Sequence, residues 1–222
     1  WMIIHPPTLF LGFASTVIPF CYVVSALFLK KYEEWLKLAL SWALMSAGIL
    51  GLGILMGGMW AYEALSFGGY WAWDPVENMS LVPWLVLIAA LHAHLIAIHT
   101  KYSIRASIIF YILTFVLVVY SSFLTRSGVL GDSSVHAFTQ LGLEWQLLGF
   151  LILVTCIPSY FYIKQQKEIP AHKTEEKIAS REFWMFIGTL VLLLSAVQMT
   201  FTTSIPVWNL LFHDKWNLLK DK

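Results

Sequence analysis

The sequence predicts an all-α, polytopic membrane protein with about six transmembrane helices. Two observations on composition predict this fold class: of the 222 residues, 59% are hydrophobic and 12% are charged, and the mean hydropathy is +0.71. A soluble domain carries about twice that charged fraction. The third observation is that the apolar residues form six runs, each long enough for a helix to cross a hydrocarbon core about 30 Å thick.

The six predicted spans follow one another with polar connections between them. They lie at 7–29, 39–60, 81–99, 106–124, 146–163 and 184–203. The fifth span is the least regular, because Pro158 interrupts it while Glu144 and Lys164 limit its length. An even number of spans places both ends of the chain on the same side of the membrane.

Lys and Arg are concentrated in alternate connections. The connections after the first, third and fifth spans carry ten of the fourteen Lys and Arg residues. The positive-inside rule therefore predicts that these connections are cytoplasmic, and 164–182 is expected to be a solvated cytoplasmic loop. A Trp-rich loop at 61–80 and a second loop at 125–145 are predicted to face outward, as are both ends of the chain.

The composition argues against several other classes of protein. The formal net charge is only +1, so no nucleic-acid partner is expected. Cys21 and Cys156 each lie in an apolar run, which favours buried thiols over a disulfide framework or a zinc site. The sequence contains no CxxCH motif, so the chain is not itself a c-type cytochrome.

The stretch SFGGYWAWDPVENMSLVPWL, at 66–85, is unusual for a connection between spans. It combines Trp71 and Trp73 with two carboxylates and contains no Lys or Arg. Aromatic residues commonly form a belt at the membrane surface, which suffices for Trp60 at the end of the second span. Long loops are more often functional, however, and an aromatic shelf would suit a large flat apolar ligand. On the residues alone, a quinone, a lipid and a porphyrin all remain open.

The segment GGYWAWDPVENMSLVPWL resembles the Trp-rich signature of haem-handling membrane proteins, and its continuation resembles the CcmF/NrfE branch of that family. Three further stretches support the same branch: HPPTLFLGF at 5–13, FLTRSGVLGDSSVHAF at 123–138 and SREFWMF at 180–186. The sequence departs from the pattern at Tyr70, where Trp is frequent, and at the additional Gly131–Asp132. Members of the family are several hundred residues long, so residues 1–222 are expected to form one haem-handling transmembrane domain from the middle of a longer chain.

The resemblance implies a function in cytochrome c biogenesis. Proteins of this branch belong to a haem lyase in the bacterial inner membrane, which attaches haem covalently to the CxxCH thiols of apocytochrome c. The implied partners are apocytochrome c, a haem chaperone, an apocytochrome-presenting subunit and membrane lipid. The fragment alone is expected to be inactive.

Three histidines are implied as axial ligands of haem iron. His5 and His136 match the two outward ligands of a transiently bound haem, and both lie on the side of the membrane predicted for the Trp-rich loop. His92 lies about 11 residues into the third span, which is roughly 17 Å of helix and near the middle of the bilayer. The resemblance assigns it to a second, resident haem b. His94 lies about 200° around the helix from His92, so the two cannot share one iron, and the second ligand is expected from outside this fragment.

Other residues carry expectations for the surface that faces the haem. Trp71, Trp73 and Asp74 are expected to form part of it. Arg126 is either an interfacial anchor or a partner for the haem propionates, since a guanidinium matches carboxylate geometry. Asp74 and Glu77 either orient ligating histidines or cap the third span, and the sequence does not decide between these roles.

Two alternative functions remain at the level of sequence. The first is a haem transporter or chaperone that delivers haem without forming the thioether bond, as in the CcmC-like branch, which lacks the TRSG…SVHAF loop. The second is a quinone-binding redox subunit, since such subunits also use histidines inside the membrane. The lack of a histidine in any of the other predicted spans weighs against a self-contained b-type cytochrome.

Overall fold

The computed structural model describes residues 1–65, 68–128, 130, 142–171 and 178–212, with side chains up to Trp208. All regular structure in these ranges is helical, which confirms the predicted fold class. The helices are α1 His5–Ser15, α2 Val17–Leu29, α3 Trp35–Ala64, α4 Pro75–Thr100, α5 Ile104–Arg126, α6 Glu144–Gln165, α7 Arg181–Thr203 and α8 Ile205–Phe212. Six helical segments, with α1 and α2 counted as one, are long and apolar enough to cross a membrane.

The first predicted span is two helices and not one. Pro19 lacks a backbone N–H and its ring is incompatible with a regular helix across the preceding turn, so the helix breaks at Thr16. The Ser15 hydroxyl donates to the Gly12 carbonyl at 2.7 Å, and the Thr16 hydroxyl donates to the Phe13 carbonyl at 2.6 Å. Short side chains thus satisfy the carbonyl groups beside the break.

The third predicted span begins six residues earlier than expected, at Pro75. Asp74 and Glu77 form a capping box: Asp74 Oδ2 accepts from the Val76 N–H at 3.0 Å, and Glu77 Oε2 accepts from the Asp74 N–H at 3.3 Å. Proline is favourable at the first position of a helix, where its missing N–H costs nothing. The two carboxylates therefore cap α4, and the loop between α3 and α4 is 65–74, shorter than the predicted 61–80.

The core lies where α2, α3, α4 and α5 meet. Leu36 of α3, Leu87 of α4 and Tyr111 of α5 are each at most 1% exposed. By contrast, few residues of α6 and α7 are buried. Cys21 of α2 and Cys156 of α6 are both exposed, so the expectation of buried thiols is wrong. An apolar run in a membrane helix does not imply burial in protein, because lipid also accepts apolar side chains.

The bundle has two chemically different ends. The aromatic end is formed by the start of α1, the end of α3, the start of α4 and the end of α5. The basic end is formed by the α2–α3 connection, the α4–α5 connection and residues 166–171. Successive connections alternate between the two ends, as the distribution of Lys and Arg predicts.

Residues 166–171 at the basic end are docked and not simply solvated as expected. Arg105 donates to the Ile169 carbonyl at 2.9 Å, and Ile169 is 1% exposed. Lys30 forms an ion pair with Glu168 at 2.9 Å, and the Tyr32 hydroxyl donates to Glu168 at 3.2 Å. Burial and then the Glu168 carboxylate raise the pKa of Tyr32, while the hydrogen bond from Lys30 lowers the pKa of Glu168.

Candidate functional site

A cavity of about 530 Å³ opens at the aromatic end, between α1, α3, α4 and α5. Most of its wall is apolar, with Leu9, Phe10, Phe13 and Ile54 among the lining residues. Its polar lining residues are His5, Glu77, Ser80, Ser121, Ser122, Thr125 and Arg126. A largely apolar pocket with a few convergent polar groups is typical of small-molecule and cofactor sites.

His5 is the first residue of α1 and lies against α3. Its Nδ1 is 2.8 Å from the Gly53 carbonyl oxygen. Because a carbonyl can only accept, Nδ1–H is the donor, and in the neutral ring the lone pair then belongs to Nε2. Metal-binding histidines are commonly oriented by such a bond from the other ring nitrogen. His5 is thus held in the tautomer that can ligate a metal through Nε2.

The close packing of α1 on α3 depends on glycine. A Cβ atom at Gly12 would lie 2.6 Å from the Leu50 Cα, and one at Gly53 would lie 2.8 Å from the Leu9 Cα. Both neighbours are backbone atoms, which cannot rotate away. Small residues allow helix backbones in membranes to approach closely, and here they bring His5 onto the wall of the cavity.

Arg126 brings a positive charge to the lining of this cavity. It is the last residue of α5, and its guanidinium carbon lies 5.6 Å from the centre of the Phe10 ring. A cation over an aromatic face is attracted to the ring electrons. The contact holds the charge of α5 against α1, beside the same cavity that His5 lines.

The Trp-rich loop contributes Trp71 to the cavity, and Trp73 points elsewhere. Trp71 lines the cavity, and its Nε1 is buried with no hydrogen-bond acceptor among the described residues. Trp73 has φ +58° and is 66% exposed, with its ring edge-on to Trp71 at 6.4 Å. Trp60 also lines the cavity, so a membrane belt does not fully account for it.

The two carboxylates of the loop hold its shape. Glu77 Oε2 accepts from the Ala72 N–H at 2.8 Å in addition to its bond within the capping box. Glu77 also lines the cavity, whereas Asp74 does not. Asp74 caps the start of α4 and so positions this helix beside the loop.

His92 and His94, two residues apart on α4, have opposite surroundings. His92 is half-buried against α7, where a Cβ at Gly188 would lie 3.3 Å from its Nδ1. That Nδ1 is buried and has no hydrogen-bond partner among the described residues. His94 is fully buried: its Nε2–H donates to the Leu36 carbonyl at 2.7 Å, and its Nδ1 lies 2.7 Å from the Tyr111 hydroxyl.

The structure thus assembles part of the set of residues singled out in the sequence. His5, Trp71 and Arg126 line one cavity although they are far apart in the chain. His136 lies outside the described residues. Within the described ranges, no cluster of three or more His, Cys, Asp or Glu could hold a metal ion.

These features define the class of protein: a multi-pass helical membrane protein with an aromatic cavity at one end that a histidine and an arginine line. The model of one protein family, described as Cytochrome C assembly protein, matches residues 1–130. The chain belongs to the cytochrome c assembly protein family.

Two similar proteins and one solved structure carry the name CcmF. The chain is 38% identical over 159 residues to the cytochrome c-type biogenesis protein CcmF of Pseudomonas aeruginosa, which covers 69% of the chain and 23% of that protein. It is 32% identical over 211 residues to CcmF of Haemophilus influenzae, covering 93% of the chain and 32% of that protein. A solved structure of the cytochrome c heme lyase CcmF matches with a TM-score of 0.73 and 30% identity, over 93% of this chain and 31% of that one. The chain spans about a third or less of the length of these relatives.

Proposed function

We propose that this chain is the haem-handling part of a cytochrome c haem lyase, and that haem is its substrate at the aromatic end. The observation that carries the proposal is the single cavity that His5, Trp71 and Arg126 line together. The family and the CcmF-type relatives support the same process. The proposed partners are apocytochrome c, a haem chaperone and an apocytochrome-presenting subunit.

The lining of the cavity fits the parts of a haem molecule. The apolar walls suit the macrocycle, and His5 Nε2 suits the iron. Arg126 supplies a positive charge for a propionate, and the Trp71 Nε1–H is a buried donor without a partner among the described residues. We assign Trp71 and Arg126 the direct contacts, with Trp73 and Asp74 supporting the loop.

The proposed chemistry is the addition of two cysteine thiols across the two vinyl groups of haem. In each addition the sulfur bonds to one vinyl carbon and the hydrogen goes to the other, so no external oxidant or reductant is consumed. The protein holds the iron through His5 and through His136, which lies outside the described residues. The ligation must be temporary, because the histidine of CxxCH replaces one of these ligands in the product.

We further propose that His92 ligates a resident haem b. The support is that its Nδ1 is buried and has no hydrogen-bond partner among the described residues, which fits a ring completed by a group outside them. A resident haem, when bound, supplies one-electron chemistry. The second axial ligand is proposed to lie outside the described residues. His92→Ala in the complete protein should remove the reduced b-type absorbance, and an unchanged absorbance would refute the assignment.

The aromatic end is proposed to face the periplasm, with both chain ends on that side of the bacterial inner membrane. The motivation is the excess of Lys and Arg in the alternate connections. Single cysteines at Glu63 and at Lys167, in a background of Cys21→Ser and Cys156→Ser, would test it with an impermeant thiol reagent. Labelling at position 63 alone in intact spheroplasts is expected, and labelling at position 167 alone would reverse the orientation.

The function is tested by His5→Ala in the complete protein. Covalent haem in a c-type cytochrome, measured by haem staining at equal expression, is expected to be almost lost, while the reduced b-type absorbance is retained. His99→Ala is the matched control, because His99 is exposed near the other end of α4. Normal staining in His5→Ala would contradict the proposal. Loss of staining with haemin still bound would indicate that the residue acts after haem binding, in thioether formation.

A further inference from the structure

Two glycines of α3 contact the His5 side chain or the backbone next to it. Gly53 and Gly57 are four residues apart, so they lie on one face of the helix, a turn from each other. Gly53 provides the carbonyl that accepts from His5 Nδ1–H at 2.8 Å. Gly57 lies directly beneath the imidazole ring. The ring therefore rests on a surface of α3 that has no side chains.

The contact at Gly57 leaves no room for a Cβ atom as long as the imidazole ring keeps its position. A Cβ atom at this position would lie 2.7 Å from His5 Cε1 and 3.1 Å from His5 Nε2. The ring would have to tilt or move to avoid it. Either change would lengthen the hydrogen bond to Gly53, because one face of α3 provides both the contact and the acceptor.

The contact at Gly53 fixes the backbone that carries His5. A Cβ at Gly53 would lie 2.8 Å from the Leu9 Cα, one turn along α1 from His5. A side chain here would push α1 away from α3 and carry the imidazole with it. Not every glycine of α3 has this role, since a Cβ at Gly48 would meet nothing within 4 Å.

We propose that Gly53 and Gly57 are positioning residues for His5, which they hold in one orientation and one tautomer so that Nε2 is presented as a metal ligand. The inference rests on the proposed function, in which His5 ligates the iron of the haem substrate. Groups that orient a metal ligand typically affect affinity or activity by about 10- to 100-fold when they are changed. A comparable effect is expected from a single methyl group at position 57.

The test compares Gly57→Ala with Gly48→Ala in the complete protein, purified in detergent and titrated with haemin. Both changes add one methyl group to α3 and raise its helix propensity equally, but only one meets the imidazole. Difference spectra recorded on adding haemin remove the absorbance of the resident haem from the signal. Gly57→Ala is expected to weaken low-spin haemin binding about 10- to 100-fold, and free imidazole should restore the low-spin spectrum. Gly48→Ala is expected to match the unmodified protein.

A double variant separates positioning from a general loss of structure. In a His5→Gly background the ring is absent, so Gly57→Ala should have no further effect on haemin binding. An equal additional loss in that background, or a loss that imidazole does not restore, would overturn the positioning role. Normal binding in Gly57→Ala together with lost binding in His5→Gly would also overturn it while leaving the proposed function intact. Normal binding in His5→Gly would instead refute His5 as a ligand.

Discussion

The two ends of the bundle are built in opposite ways. At the basic end, polar side chains tie the connections together: Arg105 binds the Ile169 carbonyl, Lys101 pairs with Glu33 at 2.8 Å, and Tyr32 reaches Glu168. At the aromatic end, glycines allow α1 to pack closely on α3. The first arrangement closes the bundle, whereas the second leaves a cavity of about 530 Å³.

The difference shows that polar contacts stabilise the basic end, whereas the aromatic end carries the candidate site. Next to the basic end, His94 has both ring nitrogens hydrogen-bonded to neighbouring helices and is fully buried. At the aromatic end, His5 donates from Nδ1 to the backbone of α3, which places the lone pair of the neutral ring on Nε2. Two histidines with the same chemistry thus act as a structural link and as a candidate ligand.

The largest effect on stability is expected from His94→Leu. Leucine removes both hydrogen bonds and leaves the buried Tyr111 hydroxyl without its His94 partner, while the Leu36 carbonyl keeps its place in the hydrogen-bond ladder of α3. The loss should lower the free energy of unfolding by about 2–4 kcal/mol, measured by thermal unfolding in detergent. The matched change His99→Leu, on the same helix at an exposed position, should have little effect. Equal melting temperatures for the two variants would show that the buried hydrogen bonds of His94 do not contribute to stability.

Gly12→Ala is expected to have a smaller effect on stability than His94→Leu, but a larger effect on haemin binding. The new Cβ would lie 2.6 Å from the Leu50 Cα, so α1 must move away from α3. Overpacking of this kind costs about 1–3 kcal/mol, and the displaced α1 should also weaken haemin binding at His5. Gly149→Ala, where a Cβ meets nothing within 4 Å, is the control. Unchanged haemin binding in Gly12→Ala would mean that the close packing of α1 on α3 is not needed to keep the cavity in its binding shape.

The smallest effect on stability is expected from a change of pH, which acts on Glu168 at the basic end. The hydrogen bond from Lys30 lowers the pKa of Glu168 below its usual value of 4.5. Because the folded pKa is the lower one, the stabilising contribution is present above pH 4.5 and is lost as the pH falls through the folded value. The melting temperature of the unmodified protein should therefore exceed that of Glu168→Gln slightly at pH 7, with the difference vanishing in acid. A difference that grows in acid would contradict this sign.

Local sequence properties predicted much of the architecture. Hydropathy located the spans, and the alternation of Lys and Arg separated the two ends, because both depend on neighbouring residues only. That alternation also predicted that His5, Trp71 and Arg126 would lie at one end. The capping box was visible as Asp74 followed three residues later by Glu77, although the sequence also allowed a role in orienting histidines.

Features that depend on helix rotation could not be predicted. Which residue of α5 faces His94 depends on how α4 and α5 pack, so its pairing with Tyr111 has no local signature. The same holds for the glycines, since only the docked position of α1 shows which of them must lack a side chain. Trp71 and Trp73 look alike in sequence, but of the two only Trp71 lines the cavity, and Trp73 has a positive φ.

The central claim is that the aromatic-end cavity holds haem through His5. The most direct measurement is a cryo-electron microscopy structure of the complete protein with haemin added. We expect porphyrin density between α1, α3, α4 and α5, with the iron bonded to His5 Nε2 while Nδ1 keeps its bond to the Gly53 carbonyl. A porphyrin in another part of the protein, or iron in this cavity with His5 turned away from it, would contradict this claim.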